Sequence, residues 1–278
     1  MRKRRKTISL PEILDKSGFN RTSRNTVTEL ADYLRGLILT GEIPAGTELS
    51  QVEIAEIFDI SRTPAREALR TLAEQGILEF QANYRAVVKG FDPEEMDILY
   101  ADRIFTEALS ASITARKADR ELVKQLETIL RKMSTAGKQR KILSWMELHC
   151  DFHKLLASGV GTVLSEKVIK NFEHSQRFVY MYQRDLGGDN WWQRGENEHI
   201  GLVEAYQNQD DRRASELMAE HIGHTALEMM AKLTPEYEPT MTRTAIKAIK
   251  AASESGVFGE KKKRIKSQKN SRPKSRAA

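Results

Sequence analysis

Cysteine is almost absent from this 278-residue chain, and its one thiol, Cys150, excludes an intramolecular disulfide framework and suits a reducing compartment. Long apolar runs are missing too, so no membrane span is expected. The opening residues, MRKRRK, lack the apolar segment of a secretory signal, and a cytoplasmic protein with no membrane partner is the expectation. No internal repeat is evident. The length allows two domains with cores of their own.

Acidic residues are scarce only at the two ends, an asymmetry that the net charge of +6 conceals. Residues 1–6 hold five Lys/Arg and no acid, and residues 243–278 hold twelve Lys/Arg against two acids. Residues 7–242 therefore carry 28 Lys/Arg and 37 Asp/Glu, a net of −9. An acidic body with basic ends suits a polyanion partner, and equally a chain whose ends are simply solvated.

What is present is organised around SRTPAREALRTLAEQG, residues 61–76. Thr63 followed by Pro64 reads as an N-cap and first helical residue. Ala65, Ala68, Leu69 and Leu72 form one apolar face, and Gly76 ends the helix. Arg62 and Arg66 lie four residues apart on the side this face leaves free, with small residues around them. Guanidinium forks at a helix N-terminus with little surrounding bulk are what entry into a DNA major groove requires. Upstream, Thr26 to Leu39 has helical periodicity, residues 41–49 form a turn-rich connector, and Ser50 caps a short helix from Gln51 to Phe58. Downstream, Ile77 to Phe80 and Ala86 to Val88 read as two strands joined at Gln81 to Arg85. The order is that of a winged helix-turn-helix.

LTGEIPAGTELSQVEIAEIFDISRTPAREALRTLAEQGILEF resembles the DNA-binding domain of the GntR family of bacterial transcription regulators over roughly residues 27–90. The resemblance implies that Ser61, Arg62, Thr63 and Arg66 contact DNA, the arginines at base edges or phosphates and the hydroxyls at phosphate. Asn83, Tyr84 and Arg85 at the hairpin tip join this set. Two residues depart from the pattern. Asp59 stands where glycine is usual and tolerates the left-handed turn, and Arg85 replaces the wing's usual glycine.

From Pro93 the chain is helical throughout, with six amphipathic helices expected at about 93–118, 120–135, 139–158, 163–185, 192–207 and 210–233. The fold class is therefore mainly α, a winged helix-turn-helix followed by an all-α six-helix bundle. The domains are a basic flexible arm at 1–24, the winged helix at 25–91, the helical domain at 92–236 and a basic disordered tail at 237–278, within which Ala245 to Ala252 could form a weak or induced helix. Trp191-Trp192 is expected to anchor a helix start.

His149 and His153, four apart on one helix, share a face; His199 and His221 lie on two later helices. Inside a bundle these four could converge on a divalent metal, although an i, i+4 pair is also what a solvated surface presents. LHCDFHKLLASGVGTVL and EHIGLVEAYQNQDDRRASELMAEHI resemble the FCD domain, which places the chain in the FadR/FCD subfamily. Many members bind a metal through an Asp and three His. The matches here are His153, His199 and His221, with His149 at the Asp position, a swap that favours zinc or nickel over manganese. Arg103, with Glu107 one turn later, matches the arginine that faces the ligand cavity, where it would take a carboxylate effector; an i, i+4 surface ion pair is the plainer reading. His174 and His224 match no ligand position and are expected at the surface or rim. A homodimeric repressor on a pseudo-palindromic double-stranded DNA operator follows from the resemblance. The competing readings are a helical-bundle metalloenzyme, for which only Glu196-x-x-His199 supplies a diiron-type motif, and a non-specific nucleic-acid coating protein driven by the tails.

Overall fold

The computed structural model describes residues 13–14, 25–80, 85–186 and 193–258. The N-terminal part is built on three helices, α1 (Thr26–Thr40), α2 (Gln51–Phe58) and α3 (Arg62–Glu74). A small antiparallel sheet of β1 (Glu48–Leu49), β2 (Leu78–Phe80) and β3 (Ala86–Val88) completes it, in the order β1-β3-β2. Leu30, Leu34, Ile54, Phe58, Ala65, Leu69 and Leu72 form its core. Asp59 takes the left-handed conformation (φ 50°, ψ 51°) that turns α2 into α3, a geometry its short polar side chain tolerates.

Three details differ from the expectation. The cap of α3 is Ser61 rather than Thr63, so Pro64 stands in the first turn, where its missing N–H costs nothing. The 41–49 connector contains β1, too short to show any alternation, and its register is set by Glu48 opposite Val87 and Leu49 opposite Ala86. Leu14, inside the stretch expected as an arm, is buried in the winged-helix core.

The helical body comprises α4 (Pro93–Lys117), α5 (Arg120–Lys138), α6 (Ile142–Leu156), α7 (Thr162–Leu186), α8 (Gln193–Gln207), α9 (Asp211–Leu233) and α10 (Thr240–Glu254). Asp92, Asp119 and Asp210 cap α4, α5 and α9 by accepting from first-turn amides, and Pro93 opens α4. The long α4 packs against α7, α9 and α10. Its small residues Ala101, Ala108, Ala111 and Ala115 are all but fully buried and allow close approach.

The tail expected to be disordered from 237 is helical at α10, a seventh helix of the body. Its buried stripe, Thr242, Ala245, Ile249 and Ser253, is small and only weakly apolar, which hid it in the sequence. Its N-terminal amides are satisfied from a distance: Asp97, fully buried on α4, accepts from Met241 N at 3.0 Å and Thr242 N at 2.8 Å. Trp191-Trp192 and residues 259–278 lie outside the described residues.

Candidate functional sites: an exposed helix end and a buried histidine cluster

The fold presents the N-terminal end of α3 outward. Ser61, Arg62, Thr63, Arg66 and Arg70 are exposed, while Ala65, Ala68, Leu69 and Leu72 on the opposite face are buried. Arg66 makes only a surface pair with Glu67 (3.2 Å), and Arg70 approaches the same carboxylate at 3.8 Å. Arg70 continues the i, i+4 row of Arg62 and Arg66, a third cation that the sequence reading left out. Arg85, also exposed, pairs with Glu48 at 2.6 Å, which fixes one side of the hairpin against β1. Asn83 and Tyr84 lie outside the described residues.

The second constellation is enclosed. His149 and His153 on α6, His199 on α8 and His221 on α9 are all buried, and one nitrogen from each lies within 4.8 Å of the others. His149 Nε2 is 3.1 Å from His153 Nε2 and 3.1 Å from His199 Nε2. Four nitrogens bound tetrahedrally to one zinc at about 2.0–2.1 Å stand roughly 3.3–3.4 Å apart, so these rings need little movement.

Glu107 Oε2 accepts from His153 Nδ1 at 2.6 Å, and Glu198 Oε2 accepts from His221 Nδ1 at 2.7 Å. Burial pushes the Glu107 carboxyl up, but the Arg103 guanidinium and the hydrogen bonds from His153 and Arg103 outweigh it and take it down to about 2. Glu198 is likewise lowered, its burial outweighed by His221 and His224. With both carboxylates ionised, each Nδ1 carries the proton and each Nε2 turns a lone pair toward the centre. Burial holds His149, His153 and His199 below the ordinary imidazole range, which keeps them neutral and able to coordinate. Converging lone pairs repel unless a cation sits among them, so the donor set fits a divalent metal. His199 Nδ1 is buried without a hydrogen-bond partner. Phe172, Trp145 and Phe152 wall the rings.

Arg103 is not at the surface. It is 4 % exposed, donates from Nε to Glu107 Oε1 at 2.6 Å and from Nη1 to Ser175 Oγ at 2.9 Å, and lies over the rings of Tyr100 and Phe172. The surface-pair reading is thereby corrected, because α4 is packed on several sides and its i, i+4 pair points inward. Arg103, Glu107 and His153 form one continuous hydrogen-bonded chain. His224 is exposed and bonds Glu198 at 2.9 Å; His174 donates to the Glu74 carbonyl. Asp151 pairs with Lys154 on the outside of α6, away from the cluster.

A winged helix joined to an all-α body with an internal histidine cluster defines a DNA-binding regulator class. Family models match both parts: "Bacterial regulatory proteins, gntR family" over residues 26–88 and "FCD domain" over residues 97–224. The chain belongs to the GntR family of bacterial regulators, in the branch that carries an FCD domain. It is 24% identical over 199 residues to the uncharacterized HTH-type transcriptional regulator YdhC of Bacillus subtilis, covering 69% of this chain and 86% of that one. It is 31% identical over 137 residues to the gluconate operon transcriptional repressor of Bacillus licheniformis, covering 49% and 56%. The HTH-type transcriptional repressor RspR of Escherichia coli is 25% identical over 184 residues, covering 65% and 78%. Among solved structures, E. coli McbR/YncC superposes with a TM-score of 0.64 over 75% of this chain and 98% of its own, at 15% identity, a likeness of fold. The protein is a DNA-binding transcription regulator, not an enzyme. Among the described residues the cluster contains four histidines and no carboxylate ligand, so a diiron-type set is not assembled. No helix among the described residues is long and apolar enough to cross a membrane.

Proposed function

We propose that the chain acts as a homodimeric repressor whose hold on a pseudo-palindromic DNA operator is set by a metal and a small carboxylate bound in the helical body. The observation that carries this reading is the outward face of α3, where Ser61, Arg62, Thr63 and Arg66 stand exposed over a fully packed apolar underside. Arg62 and Arg66 take base edges, Ser61 and Thr63 take phosphate, and Arg85 with Asn83 and Tyr84 extends the contact from the hairpin. Two copies related by a twofold place two such helices in successive major grooves. The setting is the bacterial cytoplasm, at the nucleoid.

His149, His153, His199 and His221 are the residues that would hold the metal, zinc or nickel being the ions that suit four imidazole ligands. When bound, such an ion supplies a positive centre to which a carboxylate can coordinate. Arg103 adds a second cation, and because its Nε and Nη1 are committed within the chain, the effector meets its Nη2 edge. The effector shifts operator affinity by its differential affinity for two arrangements of the winged helices, ~1–3 kcal/mol in typical couplings.

The test is competitive binding at fixed salt. Operators selected from a random DNA library are expected to bind on the order of a thousandfold or more tighter than scrambled DNA. Equal affinity for both, with a steep salt slope, would instead establish a non-specific coating protein.

A further inference from the structure

The last turn of α3 contains no basic residue, yet its carboxyl end meets a guanidinium and an imidazole from the helical body. Arg177 on α7 donates from Nη1 to Gly76 O at 2.6 Å, and its Nη2 pairs with Glu95 Oε2 at 2.6 Å. His174, one turn earlier, donates from Nε2 to Glu74 O. These are carbonyls that the helix end leaves over, because the amides of Gln75, Gly76 and Ile77 turn back onto Thr71, Ala73 and Leu72. Positive groups at a helix carboxyl terminus also oppose its partial negative charge. Arg177 is 6 % exposed and its guanidinium lies 4.4 Å from the Phe178 ring, so this is a packed contact. Glu95 in turn holds Lys89, in the connector between the domains, at 2.6 Å.

The same stretch of α7 faces the histidine cluster. The Phe172 ring is 4.7 Å from that of His153 and 5.3 Å from that of His149, and Ser175 Oγ accepts from Arg103. Phe172 thus meets the cluster and Ser175 meets Arg103, which reaches His153 through Glu107, while His174 and Arg177 meet the end of α3, all within about two turns of one rigid element.

We propose that Arg177, assisted by His174, is the positioning contact through which the state of the histidine cluster sets the placement of the DNA-reading helix. Arg177 touches no DNA. It fixes the carboxyl end of α3 to α7, and any shift of Phe172 or Ser175 carries that end with it. The consequence for DNA rests on the regulator function proposed above; the contact itself does not.

Cys150 gives a readout that needs neither DNA nor metal. It is the only cysteine, and it lines a cavity of about 400 Å³ between the two domains together with Gln75, Ile77 and Arg177. In the full-length chain, Arg177→Met keeps the packed stem and removes both bonds. Its Cys150 is expected to react with N-ethylmaleimide roughly tenfold or more faster than in the parent, the scale of losing a charge-assisted hydrogen bond. Arg177→Lys should rescue part of this, and His174→Ala, at the rim, should give a smaller rise with the fold intact by circular dichroism. Operator affinity, measured with zinc and after chelation, should differ in the parent and become indifferent to zinc in Arg177→Met. An unchanged Cys150 rate in Arg177→Met and His174→Ala overturns the contact. A full zinc response retained in Arg177→Met overturns its role in coupling. A faster Cys150 rate combined with a zinc-indifferent parent upholds the contact and removes the metal-responsive reading instead.

Discussion

Arg62/Arg66 on α3 and His149/His153 on α6 have the same sequence spacing and opposite surroundings. The arginine pair lies on the free side of a helix that has a single apolar stripe, and both residues are exposed. The histidine pair lies on a helix gripped by its neighbours, and both rings are buried among aromatic groups. Arg103/Glu107 repeats the spacing a third time, also buried. An i, i+4 interval establishes that two side chains share a face; the surrounding helices decide whether that face meets water, and therefore whether the groups serve as free cations or as neutral donors.

The comparison breaks most completely if the buried pair is removed. His149→Ala/His153→Ala should abolish stoichiometric zinc, lowering the measured metal content from about one per chain to below about a tenth, since two of four ligands are lost. Undiminished metal in that variant would refute the four-histidine site. Removing one member of the exposed pair costs less. Arg66→Ala should weaken operator binding by ~1–3 kcal/mol, the value of one bidentate base contact, with an unchanged melting temperature. An equal loss in melting temperature would show that the arginine supports the fold instead.

Much of this was legible before any coordinates. The winged helix follows from Ser50, Asp59, Pro64 and Gly76 punctuating regular apolar stripes, and the body from the amphipathic stripes that follow Pro93. The convergence of His149, His153, His199 and His221 was legible as a possibility of spacing and then through a family resemblance. Three things were not. α10 is capped by Asp97, more than 140 residues away in sequence, and its small-residue stripe is too weakly apolar to mark a buried face. Whether the Arg103/Glu107 pair faces inward, as the resemblance implied, or lies at the surface, as its spacing equally allowed, is decided by the packing around α4 rather than by its sequence. Glu198 adjoins His199 in the chain but serves His221, a pairing created by how α8 lies against α9.

Glu198 sharpens the contrast at smaller scale. Glu198→Gln keeps the shape but removes the charge that sets the His221 tautomer, and zinc affinity should fall roughly 10–100-fold in a chelator competition. An affinity within twofold of the parent would deny Glu198 that role. The smallest effect is expected at the basic end. Because α10 is part of the folded body, the informative deletion removes residues 259–278 rather than everything from 240. It should lower random-DNA binding and flatten its salt slope, while operator selectivity stays in place. If random-DNA affinity and slope are unchanged, that end is only solvated.

The claim that exposed guanidinium groups on α3 read base edges is tested most directly by comparing sequence preferences. Operators are selected from a random library by the parent protein and by Arg66→Ala, at one salt concentration. The account predicts that preference relaxes at one position in each half-site, symmetrically about the twofold, while the other positions keep theirs. A uniform loss of affinity with an unaltered preference profile would contradict it, and would reduce Arg66 to a phosphate contact.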